Sequence, residues 1–274
     1  MIRTTEPVRS AISQDGTRIG YFTSGDGPPL LLVHGGLGDH QRWEALRAHL
    51  EPHVTVHAMD RRGRGASGDH LDYRVEREYE DVAAVVDAIA SASRSRVDVY
   101  CSSFGGLCAF GAIPLTTNVR SLALYEGWPP VNPEALAPKP DKVERIEALL
   151  AAGEREAALE LAYLEVLGVS VEELATLRSQ PAWPARVAAA HTLPREGRAI
   201  AATRFDPRQA ARVAVPTLLL IGSESPTWKH EAGIVADALP DARIAVLEGQ
   251  AHAADLFAPE LVAEALLGFL RQQH

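Results

Sequence analysis

Short apolar runs bounded by turn residues recur along this chain with amphipathic helical stretches between them, and few folds satisfy that alternation. Runs apolar on both alternate faces suit strands covered on both sides, so the pattern predicts a mostly parallel sheet flanked by helices. The expected strands are Val8 to Ile12, Arg18 to Thr23, Leu30 to Val33, Val54 to Met59, Val97 to Cys101, Leu122 to Tyr125, Leu218 to Ile221 and Ile244 to Leu247. The first two are close enough to form an antiparallel hairpin through Gln14, Asp15 and Gly16. From Glu76 to Ala90, Tyr79, Val82, Val86 and Ile89 recur at helical spacing, which gives a structural helix that covers the sheet.

The alternation breaks between Pro129 and Val215. A proline-rich opening leads into helical periodicity with no convincing strand, and Gly153 marks a break between two helices. Residues 129–215 are therefore expected to be an inserted helical cap on a core made of residues 1–128 and 216–274. The 274 residues, 46% hydrophobic, suffice for one large α/β domain. A formal charge of -9 repels phosphate backbones and anionic lipid heads, so nucleic acid is not an expected partner. Met1 to Ser10 has no apolar leader-like segment, and no apolar run approaches the ~20 residues of a bilayer crossing, so the expectation is a soluble, cytoplasmic protein without membrane insertion. The two cysteines, Cys101 and Cys108, fall at a strand end and inside the next helix and suggest neither a disulfide nor a thiolate metal site.

The chemistry-bearing segment is Val97 to Gly106, V-D-V-Y-C-S-S-F-G-G: a buried strand, a tight turn, then glycines opening a helix. This is the setting of a nucleophile elbow, in which small residues flank a serine held in a strained turn. Ser103 fits, with Cys101 and Gly105 at the small positions. Centring on Ser102 would put Tyr100 and Phe104 there instead. A serine hydroxyl needs an imidazole to take its proton and a carboxylate to orient that imidazole. His252, in E-G-Q-A-H-A-A-D, follows the last expected strand on a loop at its carboxyl end, where open parallel sheets bind ligands. His34, in L-L-L-V-H-G-G-L-G, reads as a residue buttressing its own loop. The glycines after it let the backbone approach a substrate, so the N–H groups of Gly36 and Phe104 are the expected oxyanion donors. No histidine pair has the spacing of a helical zinc motif, and the mechanism calls for no cofactor.

These landmarks together resemble the α/β-hydrolase superfamily across essentially the whole chain: His34-Gly35-Gly36, the Asp60-Arg61-Arg62-Gly63-Arg64-Gly65-Ala66-Ser67 turn, the Ser103 elbow and the His252 loop. The resemblance implies an architectural role for Asp60 and Arg62. Many members carry Asp a few residues after the seventh strand, where this chain has Ser225 in Gly222-Ser223-Glu224-Ser225-Pro226. Two carboxylates could replace it: Glu224, one position earlier, and Glu126, after the sixth strand. An acid at the latter place is similar to that of haloalkane dehalogenases and zearalenone-lactonase-like members, and the C-S-S elbow also resembles the second group. Glu126 is preferred, because a carboxylate at the carboxyl end of the strand next to the elbow can be held rigidly and partly buried.

The expected reaction is cleavage of a carboxylic ester, lactone or thioester through an acyl-enzyme on Ser103, with His252 as base. Serine at the nucleophile position argues against the aspartyl-ester chemistry of epoxide hydrolases and dehalogenases. Gly35, Leu37, Trp128 and Trp183 are the expected substrate contacts, with Trp228 and Phe104 nearby, around a small hydrophobic ester-like ligand. Trp183 has a second reading, as a pin between two cap helices, and Trp43 is expected to pack its own helix on the sheet. A non-hydrolytic role on the same fold (lyase, acyltransferase or small-molecule binding module) stays open, as does a homo-oligomer.

Overall fold

The computed structural model describes residues 8–273, so residues 1–7 of the stretch read above for a leader lie outside the described residues. Eight strands form one sheet in the order β1-β2-β4-β3-β5-β6-β7-β8: β1 Arg9–Ile12, β2 Arg18–Ser24, β3 Pro29–Val33, β4 Thr55–Met59, β5 Val97–Ser102, β6 Val119–Tyr125, β7 Thr217–Gly222 and β8 Ala242–Leu247. Only β2 runs against its neighbours, pairing antiparallel with β1 and β4, and all the other pairings are parallel. The β1–β2 hairpin turns at Gly16, whose φ of 85° is open to glycine at no steric cost.

Three helices punctuate the first half: α1 (Glu44–Leu50), α2 (Val75–Ser93) and α3 (Phe104–Ala112). Between β6 and β7 come α4 (Pro133–Leu136), α5 (Pro140–Ala151), α6 (Arg155–Leu161), α7 (Val171–Arg178), α8 (Trp183–Ala189), α9 (Leu193–Ala202) and α10 (Pro207–Ala210). The break at Gly153 separates α5 from α6, with φ +82°. The chain closes with α11 (Pro226–Ala238), α12 (Ala254–Phe257) and α13 (Pro259–Leu270).

Period-two alternation divides each central strand between two cores. Leu31 and Val33 join α2, α3 and α11 on one face, while Leu30 and Leu32 join α1 and α13 on the other. Trp43 is fully buried in the second core with Leu46 and Tyr100. Among the described residues no helix is long and apolar enough to cross a membrane.

The observed β6 begins three residues earlier than its apolar run. Arg120 and Ser121 hide the start of the strand in the sequence, yet both find a buried partner: Arg120 pairs with Asp98 at 3.2 Å and the Ser121 hydroxyl donates to Asp98 at 2.6 Å. The architectural turn after β4 behaves similarly. Asp60 accepts the N–H groups of His40 and Ala66, each at 2.7 Å, and Arg62 is clamped by Asp81 and Asp15.

Candidate active site

In-register parallel strands bring the site together. Ser102 of β5 pairs with Tyr125 of β6, and Tyr125 pairs with Leu220 of β7, so the residues just past these positions emerge side by side at the carboxyl edge of the sheet. Ser103 follows β5 directly and Glu126 follows β6 directly. Beyond β8, the loop carrying His252 folds back toward them, anchored where the Tyr125 hydroxyl donates to the Ala251 carbonyl. Gly222 permits that return, because a Cβ there would run into the Gln250 carbonyl.

The side chains meet in a line. The Ser103 hydroxyl lies 3.0 Å from His252 Nε2, and His252 Nδ1 lies 2.6 Å from Glu126 Oε2. The Gly222 N–H donates to the other oxygen, Oε1, at 2.8 Å. Glu126 is wholly buried while the His252 side chain is 43% exposed, so the carboxylate is fixed and the imidazole reaches the cavity. The His252 ring stacks on Trp228 (centroids 5.8 Å apart, planes within 7°), and Trp128 meets Trp228 edge-on. Glu224 stands apart: it is exposed and its carboxylate accepts from the Ser223 hydroxyl at 3.1 Å.

Strain concentrates here. Four described non-glycine residues have positive φ, and three of them, Leu37 (59°), Ser103 (54°) and Glu126 (44°), line or form this site. Close packing explains why glycines surround the elbow. A Cβ on Gly35 would lie 2.8 Å from that of Ser103, and one on Gly106 would fall far inside van der Waals contact with the Gly127 carbonyl. Gly36 and Phe104 both face the cavity, and among the described residues the Gly36 N–H has no acceptor within the protein. The Phe104 N–H opens α3 and so has no intrahelical partner.

His34 is fully buried, with Nδ1 2.8 Å from the Gly35 carbonyl and Nε2 accepting from the Arg61 N–H at 3.2 Å. Burial and the nearby arginines push its pKa well below the usual histidine range, so it is a neutral loop brace. Cys101 and Cys108 are buried free thiols whose pKa values burial pushes up.

One feature escaped sequence reasoning. Arg61 is fully buried, bonded to both oxygens of Glu78 at 2.8 and 2.7 Å, to Glu196 of α9 at 2.8 Å and to the Gly35 carbonyl at 3.0 Å, with its guanidinium 4.5 Å from the Phe104 ring. Arg64 joins the same Glu196 carboxylate. This cluster ties the helices after β6 to the Gly35-Gly36 turn. A cavity of about 870 Å³ lies between those helices and the strand ends. Gly35, Leu37 and Trp128 line it. Trp183 corrects the expectation of a substrate contact: it does not line the cavity, but donates through its indole N–H to Glu156 at 2.8 Å and stacks on Tyr163. A buried indole needs a hydrogen-bond acceptor, and Glu156 on α6 supplies it behind the cavity wall.

The model of the alpha/beta hydrolase family matches residues 30–265. The chain belongs to the alpha/beta hydrolase family. Among its relatives, a pimeloyl-[acyl-carrier protein] methyl ester esterase of Xanthomonas campestris pv. campestris is 31% identical over 263 residues, covering 90% of this chain and 96% of that protein. An alpha/beta hydrolase from Sphaerobacter thermophilus superposes with a TM-score of 0.81 at 36% identity, over 96% of this chain and 100% of the other. An esterase from Thermogutta terrifontis, 21% identical with a TM-score of 0.77, shares the fold over 98% of this chain and 99% of its own.

Proposed function

We propose that this alpha/beta hydrolase cleaves a carboxylic ester, lactone or thioester through an acyl-enzyme on Ser103. The observation that carries the reading is the unbroken line from Ser103 Oγ to His252 Nε2 at 3.0 Å and from His252 Nδ1 to Glu126 at 2.6 Å. As Oγ attacks the carbonyl, Nε2 takes its proton and the buried Glu126 stabilises the imidazolium. The N–H groups of Gly36 and Phe104 receive the developing oxyanion. His252 then returns the proton to the leaving alcohol or thiol. A water activated by the same imidazole releases the acid and restores Ser103.

Residues 129–215 act as a cap that closes the cavity and selects the substrate. Its wall combines Leu107 and Trp128 from the core with Leu136, Val166 and Ile200 from the cap, and the exposed apolar Leu167 and Phe257 stand at its rim. That lining and a volume within the usual range of ligand sites favour a largely apolar acyl or alkyl group. The esterase relatives lend weight to ester cleavage. A fluorophosphonate probe tests the proposal: labelling should map to the peptide containing Ser103 and vanish in Ser103→Ala. Absence of labelling in a folded protein would favour a binding role.

A further inference from the structure

His252 reaches the site on a turn, with 43% of its side chain exposed, and behind its reacting nitrogen the ring is tied at one atom, Nδ1 to Glu126. One hydrogen bond fixes a point and leaves a plane free, so the imidazole can still swing about the line from Nδ1 to Oε2 and carry Nε2 off the Ser103 hydroxyl. Packing has to supply what that bond does not. The flat face of Trp228 does so: its plane lies within 7° of the imidazole with centroids 5.8 Å apart, an offset stack. Trp228 is itself held from behind. Trp128 meets it edge-on, with centroids 5.0 Å apart, is buried, and donates its indole N–H to Glu231 at 3.3 Å. Glu231 stands three residues after Trp228 on α11, hence on the same helix face, and is buried. It also accepts the N–H groups of Val131 at 3.2 Å and Asn132 at 2.8 Å. Three donors satisfy that buried carboxylate, which makes the support behind the stack rigid.

We infer that Trp228 is a positioning residue for the base: its indole, braced by Trp128 and Glu231, sets the plane of the His252 ring and keeps Nε2 on Ser103. This deepens the reading of Ser103, His252 and Glu126 as a triad and rests on it. Trp228 also lines the cavity, so the competing role is a wall that only touches substrate. Kinetics separate the two. The aim of the base is common to every substrate and is expressed in kcat, whereas wall contacts are expressed in KM or grow with the length of the acyl chain.

The test measures kcat and KM on 4-nitrophenyl acetate and 4-nitrophenyl octanoate for Trp228→Leu, Trp228→Met and Trp228→Phe, with circular dichroism to verify the fold. Losing the stack predicts a fall in kcat of about 3- to 10-fold in the Leu and Met variants, by the same factor on both esters. Trp228→Phe, smaller than tryptophan but flat, recovers most of it, while the unbranched Met side chain does not, so flatness and not volume decides. Parent-like kcat in both non-aromatic variants, a loss confined to KM, or a loss that grows from acetate to octanoate would overturn the assignment. Proton NMR decides the same question without turnover. The proton between His252 Nδ1 and Glu126 should give a low-field resonance that broadens through exchange with water in Trp228→Leu and persists in Trp228→Phe; a resonance unchanged in Trp228→Leu would count against the assignment. Failure of every ester to react would therefore count against the nucleophile, and the resonance would still judge Trp228.

Discussion

Replacing Glu126 by Gln keeps the shape of the site and changes which atoms can donate. The Gly222 N–H already donates to Oε1 at 2.8 Å, so the amide oxygen must take that position and the amide NH2 must face His252 Nδ1. The reverse orientation opposes two donors in a fully buried pocket, an unpaired group worth about 1–3 kcal/mol, or roughly a 5- to 150-fold bias. In the favoured orientation Nδ1 must accept, so Nε2 carries the proton toward Ser103 and cannot act as base. The minority with the productive tautomer lacks the charge that stabilises the imidazolium, a further loss of about tenfold from exchanging a charge-assisted bond for a neutral one. Together these give a fall in kcat of about 50- to 1,500-fold, somewhat below the about 10,000-fold that the corresponding Asp→Asn change costs a serine protease triad. Steady-state rates on a 4-nitrophenyl ester measure it, with circular dichroism and thermal unfolding to verify the fold. Glu224→Gln, altering an exposed side chain, should stay within about twofold of the parent. Equal losses from both variants, or a larger loss from Glu224→Gln, would refute the tautomer argument.

Gly106→Ala should destabilise the protein toward the top of the about 1–3 kcal/mol range of overpacking, because the new Cβ meets the backbone carbonyl of Gly127; differential scanning fluorimetry should show a drop of roughly 10 °C, and an unchanged midpoint would mean the elbow is looser than described. His57 is buried beside Thr23, and burial, with a smaller contribution from Arg9, brings its pKa down to about 4 from an ordinary 6.5. The unfolded chain therefore binds a proton between these values when the folded one does not, so stability present above pH 6.5 is lost as pH falls toward 4, by about 3 kcal/mol. Denaturant unfolding across that window should show a clearly shallower slope in His57→Gln; an identical slope would remove the assignment.

How much of this could be read beforehand depends on whether a residue's reason is local. The strands of the central sheet announce themselves because Leu30 to Val33 and Leu218 to Ile221 are buried on both faces, leaving no wet side to mark with polar residues. Ser103 stands out because its neighbours at 101 and 105 must be small. Glu126 is reached by counting one residue past a strand that lies beside the elbow strand. What could not be read rests on distant pairings. The join of Arg61 to Glu196 spans 135 residues, and the sequence offers no spacing that links them. Trp183 looked like an aromatic wall because nothing near it in sequence revealed Glu156, 27 residues earlier, as the acceptor for its indole. Leu37 gave no warning of its left-handed backbone, since a leucine is among the residues least expected at φ 59°.

The covalent acyl-enzyme is the claim from which the rest follows, and rapid acid quench of a slowly deacylating ester with intact-protein mass spectrometry tests it directly. The account predicts a single adduct equal in mass to the acyl group, formed within the first turnover and carried by the tryptic peptide that contains Ser103. Product released over many turnovers with no such adduct under single-turnover conditions, or an adduct mapped to another residue, would contradict it.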